Sequence, residues 1–151
     1  MAIVITGVED LKSKIGQHLG WSNWHQVTQE QIDQFAQATG DHQWIHVNEE
    51  LAKKGPFGTT IAHGYLTLSL VPTLLPQIMT VEGVGMSINY GANKIRFPSP
   101  VRSGSKVRLG VTIVEIQDIQ NGVQALVDVT IEESNATKPS LAAQLVYRYY
   151  F

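Results

Sequence analysis

Ile61-Ala62-His63-Gly64-Tyr65-Leu66-Thr67-Leu68-Ser69-Leu70-Val71-Pro72-Thr73-Leu74-Leu75-Pro76-Gln77-Ile78-Met79 is the stretch whose reading decides the fold. Its apolar residues keep helical spacing, and no Asp, Glu, Lys or Arg occurs from Thr59 to Val81. A helix that is apolar nearly all round has to be surrounded. The surroundings can be a bilayer, because the uncharged run reaches the length of a span, or they can be the rest of a domain. Pro72 and Pro76, with the polar His63, Thr67, Ser69, Thr73 and Gln77, argue against lipid. The reading is a buried helix running from Ile61 to about Met79, bent or partly unwound where its prolines remove backbone donors.

The material to wrap that helix lies downstream. Val107, Leu109, Val111 and Ile113 alternate with polar or small residues, as do Val123, Ala125, Val127, Val129 and Ile131, and then Leu141, Ala143, Leu145, Tyr147 and Tyr149. Period-two patterns of this kind are strands with one covered face. Asn121-Gly122 joins the first two as a hairpin signal, since both residues tolerate positive φ. Met86 to Phe97 supplies a further strand, stopped by Pro98 and Pro100. One long apolar helix followed by an antiparallel meander of at least four strands predicts an α+β chain, with a curved sheet wrapped around a central helix. This is the hot-dog arrangement, and residues 1–151 read as one domain of it. A sheet with open edges makes pairing with a second copy an expectation.

Upstream, Val8, Leu11 and Ile15 predict a short opening helix, and Trp21 to Val27 a strand. Thr28-Gln29-Glu30-Gln31 is a capping box: Thr28 accepts from the first turn and Gln31 reaches back. Ile32, Phe35, Ala36 and Thr39 follow at helical spacing until Gly40 ends the helix. A polar connection from Asp41 to Asn48 then leads to a short helical piece, Asn48 to Lys54, stopped by Gly55-Pro56.

Composition narrows the functions. A chain of 151 residues, 43% hydrophobic, with a net charge of -2 and no run of like charges has no concentrated positive field, so nucleic acid and anionic membranes are excluded as partners. The absence of cysteine removes disulfides, thiolate metal sites and cysteine nucleophiles. The segment Met1 to Asp10 has neither the basic start nor the long apolar stretch of a signal peptide, which makes the cytoplasm the default location.

Three groups of residues can carry chemistry. Gly40 lets the chain leave its helix sharply, and a five-residue step from Asp41 to His46 through a non-helical loop can bring carboxylate and imidazole together. Such a pair supplies two proton-transfer groups in opposite states near neutral pH, as hydration of a polarised double bond requires. The competing reading is a cap-and-turn with a structural histidine. Thr59-Thr60-Ile61-Ala62-His63-Gly64 opens the apolar helix, where free N–H groups and the helix dipole favour negative charge. Gly64 either lets a thioester oxygen approach its N–H or simply permits tight packing. Asn89 through Phe97 places Lys94 and Arg96 on one strand face, able to meet a phosphate or to sit in solvent. A metal is a weaker reading than a metal-free dyad. Asp41, His42, His46 and His63 are available, but the His42–His46 spacing means little outside a regular helix.

Together these residues resemble a known family. Gly40-Asp41 followed by Ile45-His46, with Phe35 upstream, is similar to the signature of the MaoC-like dehydratases and (R)-specific enoyl-CoA hydratases. Ala62-His63-Gly64 and Arg96-Phe97-Pro98 resemble that family's next two landmarks, in order. The resemblance implies a hot-dog homodimer acting on an acyl-CoA without a metal or other cofactor. Asp41 and His46 would activate water for attack on the β-carbon of a trans-2-enoyl-CoA and return a proton to the α-carbon. By this likeness the Gly64 N–H would hold the thioester oxygen. Trp44, His63, Asn89, Lys94 and Arg96 are the candidate substrate contacts. The family usually shows Asn-Pro where this chain has Gln43-Trp44, so the loop can run differently and Trp44 can narrow or line the acyl pocket. Two rival functions remain: a hot-dog acyl-CoA thioesterase, and a non-catalytic acyl-binding or heterodimer partner subunit.

Overall fold

The uncharged run forms three short pieces rather than one helix. In the computed structural model, which describes residues 1–151, α5 (Gly64–Ser69) is followed by α6 (Val71–Leu74) and a 3-10 turn at Leu75–Gln77. Pro72 and Pro76 each stand at the start of a new piece, where a missing N–H costs no intrahelical bond. Ile61 to His63 are not helical, because their backbone is used elsewhere: Ile61 N–H donates to the Ile45 carbonyl at 3.0 Å and Ala62 N–H to Val101 at 2.8 Å. The expected start at Ile61 therefore moves to Gly64. Leu66, Leu70, Val71 and Leu74 are buried, in keeping with an element that is surrounded. No helix is long and apolar enough to cross a membrane.

The strands that wrap it are β5 (Met86–Arg96), β6 (Lys106–Ile119), β7 (Gly122–Glu133) and β8 (Leu141–Tyr150), joined by the short β2 (His18–Trp21) and β3 (His25–Gln26). The sheet is antiparallel throughout, in the order β2-β6-β7-β8-β5, with β3 also paired to β6. The alternating residues face the core in register: Val127 opposite Leu145, Val129 opposite Ala143, Ile131 opposite Leu141. Register shifts at Ile113/Glu115 in β6, and at Asn89/Gly91 and Ala92/Lys94 in β5, are bulges of the kind that bend a sheet. This is the α+β hot-dog fold. The β6–β7 hairpin turns on Gln120-Asn121, with Asn121 at φ 63°. Gly122 serves a different purpose from the one expected, because a Cβ there would lie 2.1 Å from the Tyr149 carbonyl oxygen.

Two strands escaped the sequence reading. β1 (Ile3–Thr6) pairs in parallel with β4 (Met79–Glu82) and buries Ile5. Four residues are too few for a periodic pattern to stand out. Between β1 and the sheet lies α1 (Gly7–Ser13), near the span expected. Of the strand expected over Trp21 to Val27 only the two-residue β3 forms, while β2 starts earlier, at His18, and ends at Trp21, before the Ser22 N–H donates to the Leu109 carbonyl. α2 (Gln29–Thr39) begins as expected, with Gln31 N–H donating to Thr28 Oγ1 at 3.1 Å. The reciprocal half of the box is not formed, because the Gln31 side chain pairs with His25 Nε2 instead.

Candidate active site

Gly40 closes α2 on the Ala36 carbonyl in the left-handed region, φ 81°, and hands the chain to Asp41. Asp41 Oδ1 accepts the Gln43 N–H at 3.3 Å, an Asx turn that aims the chain back toward the core. The loop expected to be non-helical holds one helical turn, α3 (Trp44–Val47), closed by Asn48 N–H donating to the Trp44 carbonyl. Asn48 then caps α4 (Glu49–Lys53) by accepting from Leu51 N–H. The single turn is what swings His46 inward, to 6% exposure, while Asp41 stays at the surface.

The His46 ring is fixed by its partner. Nδ1 lies 2.7 Å from the Ile61 carbonyl oxygen, which can only accept, so Nδ1 carries the proton and Nε2 keeps a free lone pair. Burial pushes the imidazole below its ordinary value and the neighbouring His63 adds to this, against the Ile61 carbonyl and the Asp41 charge. His63 stacks on His46 with ring centroids 3.9 Å apart and planes at 23°. A carboxylate oxygen of Asp41, a ring nitrogen of His46 and a ring nitrogen of His63 all lie within 4.8 Å of one another. These are also the groups close enough to share an ion; His42, exposed, is not among them.

Gly64 opens α5 beside this cluster. A Cβ on it would lie 3.0 Å from the Phe97 ring, so any other residue here would make that ring give way. A cavity of about 340 Å³ runs along this point, lined among others by His46, Gly64, Thr67, Phe97, Pro98 and Ser140. Asp41, His46, His63 and Gly64, though 23 residues apart at the extremes, therefore meet around one end of α5.

The other expected site residues lie further off. Trp44 packs on Gly55 at the surface, beside Leu51 and Lys54, and does not line the cavity that holds His46. Asn89 lines a second hollow with Leu68, Pro72 and Tyr147, past the first turn of α5. Lys94 and Arg96 sit opposite Gln144 and Ala142 on the sheet face away from the core, in a hollow that shares the lining residue Pro98 with the His46 cavity. One residue of the site carries no functional signal in the sequence. Gln29 donates to the His46 carbonyl at 2.8 Å and to Asp33 at 2.9 Å, and accepts from the buried Thr60 hydroxyl. It thereby ties α2 to both halves of the site, yet in the sequence it reads only as a helix-start residue.

Residues 10–135 match the family model described as MaoC like domain. The chain belongs to the MaoC-like dehydratase family. Among its relatives, 3-hydroxyacyl-thioester dehydratase Z of Mycobacterium tuberculosis is 52% identical over 143 residues, covering 94% of this chain and 95% of that protein. Nodulation protein N of Rhizobium leguminosarum bv. viciae is 45% identical over 145 residues, covering 91% of this chain and 87% of that protein. The solved structure of a monoamine oxidase regulatory protein from Archaeoglobus fulgius superposes with a TM-score of 0.80 at 25% identity, over 99% of this chain and 97% of that one.

Proposed function

We propose that this MaoC-like chain is a hydro-lyase that reversibly hydrates trans-2-enoyl thioesters to (R)-3-hydroxyacyl thioesters. The observation that carries this reading is the His46 ring, which lines a cavity with its Nδ1 held by the Ile61 carbonyl and lies in a cluster, within 4.8 Å, with an Asp41 carboxylate oxygen. In the hydration direction His46 Nε2 takes a proton from water, which Asp41 helps to orient, and the water oxygen bonds to the β-carbon. The double-bond electrons move to the thioester oxygen, which is held by the Gly64 N–H at the start of α5. A proton then returns from the pair to the α-carbon, and the enzyme is left as it began. Every group this needs is a side chain or an amide of the protein, so no cofactor is invoked. The 52% identity to a 3-hydroxyacyl-thioester dehydratase supports the substrate class; the configuration rests on the motif likeness.

Coenzyme A is the proposed carrier. Its phosphates would leave the cavity over Pro98 and meet Lys94 and Arg96 in the adjoining hollow. Two chains are proposed to pair along β5, an edge strand whose 11 residues are all exposed except the half-buried Ile95.

Crotonyl-CoA and butyryl-CoA, followed side by side, test the reaction class. Loss of the enoyl absorbance with formation of (R)-3-hydroxybutyryl-CoA, and no attack on the saturated ester, is expected. Release of free coenzyme A from butyryl-CoA would assign a thioesterase, and inertness toward enoyl esters of every length would leave a binding subunit.

A further inference from the structure

His63 is the one buried titratable group of the site that the hydration chemistry does not use. Its ring is 3% exposed, clamped between Phe35, whose centroid is 4.9 Å away, and His46 at 3.9 Å. Its Nε2 lies 3.0 Å from the backbone carbonyl oxygen of Asp41, and its Nδ1 is buried with no hydrogen-bond partner. A carbonyl oxygen only accepts, so Nε2 carries the proton and Nδ1 is a bare, unpaired acceptor. The two stacked imidazoles therefore hold opposite tautomers, His46 protonated on Nδ1 and His63 on Nε2.

An orphaned buried acceptor is a cost that space-filling does not explain. A phenyl ring would fill the slot against Phe35 and His46 and carry no orphan. What phenylalanine lacks is the Nε2–H, and that group reaches the residue whose carboxylate must face His46. We infer that His63 is a positioning residue: its Nε2–H pins the Asp41 backbone, fixing where the Asp41 carboxylate stands relative to the His46 lone pair. This rests on the hydratase reading for its kinetic consequence, though not for its geometry. The role differs from substrate contact, because His63 is buried and does not line the cavity that holds His46 and Gly64.

Two substitutions separate the bond from the ring. His63→Phe keeps an aromatic face and removes the donor; His63→Gln removes the aromatic face and keeps an amide N–H at the reach of Nε2. The expected result is that H63F folds with a Tm no lower than the parent but loses about 10²-fold in kcat with KM nearly unchanged, the scale of a misplaced catalytic group. H63Q should recover most of the rate lost in H63F. Full kcat in H63F, or a rise in KM alone, overturns the inference. A second measurement does not depend on turnover. Imidazole ¹⁵N–¹H correlation spectra of the unsubstituted protein should show His63 as the Nε2–H tautomer and His46 as the Nδ1–H tautomer. Finding His63 protonated on Nδ1 alone overturns the assignment even if the enzyme is active, and a protein inert toward enoyl esters fails the hydratase reading without touching the tautomer result.

Discussion

At the scale of single residues the site is a small set of backbone carbonyls that dictate where protons sit. The Ile61 carbonyl claims the Nδ1 proton of His46 and leaves Nε2 as the nitrogen with a lone pair. Because burial lowers the His46 value, the acid limb of the kcat/KM profile should have its midpoint below about 6.5, the ordinary imidazole figure. The sign for stability follows: the unfolded chain takes up this proton first, so the contribution of neutral His46 is present above that figure and lost as pH falls toward its folded value. A pH–rate profile checks this, and a midpoint clearly above 6.5 contradicts it. At Lys94 and Arg96 the expected outcome of a double alanine substitution is a higher KM for crotonyl-CoA, with kcat and the KM for a crotonyl-pantetheine ester unchanged. An equal effect on both esters would remove the phosphates from these residues. Asp41, His46, His63 and Gly64 are legible in the sequence because the Gly-Asp step and the start of an apolar helix are local signals. Gln29 is not, since its bonds to His46 and Thr60 cross 17 and 31 positions. Trp44 misleads for the same reason: its contact with Gly55 depends on how α3 and α4 fold back, which spacing does not encode.

At the scale of elements, the long apolar run is held by its surroundings more than by its own hydrogen bonds, being broken at Leu70 and Leu75. Leu74, 1% exposed in the 27-residue core, should therefore cost about 2–5 kcal/mol on truncation to alanine, read from urea unfolding. A loss under about 1 kcal/mol would mean that the surrounding sheet does not hold this element. Gly122→Ala is a sharper test of the hairpin, because the added methyl group meets the Tyr149 carbonyl. Overpacking there should destabilise by about 1–3 kcal/mol, and a neutral result would show that β8 does not close on β7 as described. The strands β6, β7 and β8 are legible because each carries an alternation that persists for about seven to nine residues, from Val107 to Ile113, Val123 to Ile131 and Leu141 to Tyr149. The parallel pair β1–β4 is not, since four-residue strands leave no period to read and their partner lies 76 positions away.

At the scale of the whole molecule, the curved sheet and the helix it wraps bring a loop from the first third of the chain against the start of α5, and leave β5 open on its outer side. Ile88 and Tyr90, both exposed on that strand, should lie in a paired interface. Sedimentation of the parent protein as a dimer, and of the Ile88→Lys, Tyr90→Lys double variant as a monomer, is the expected pattern; a monomeric parent contradicts it. The fold class is legible from the helix-then-meander order, whereas which strand ends as the exposed edge is supplied only by the coordinates. The most direct measurement is initial-rate hydration of crotonyl-CoA by the parent, Asp41→Asn and His46→Gln proteins under identical conditions. Hydration by the parent, with each variant slower by about 10²–10⁴-fold while still folded, is the expected result. Undiminished turnover in either variant would mean that the carboxylate and the imidazole at the end of α5 are not the proton-transfer pair.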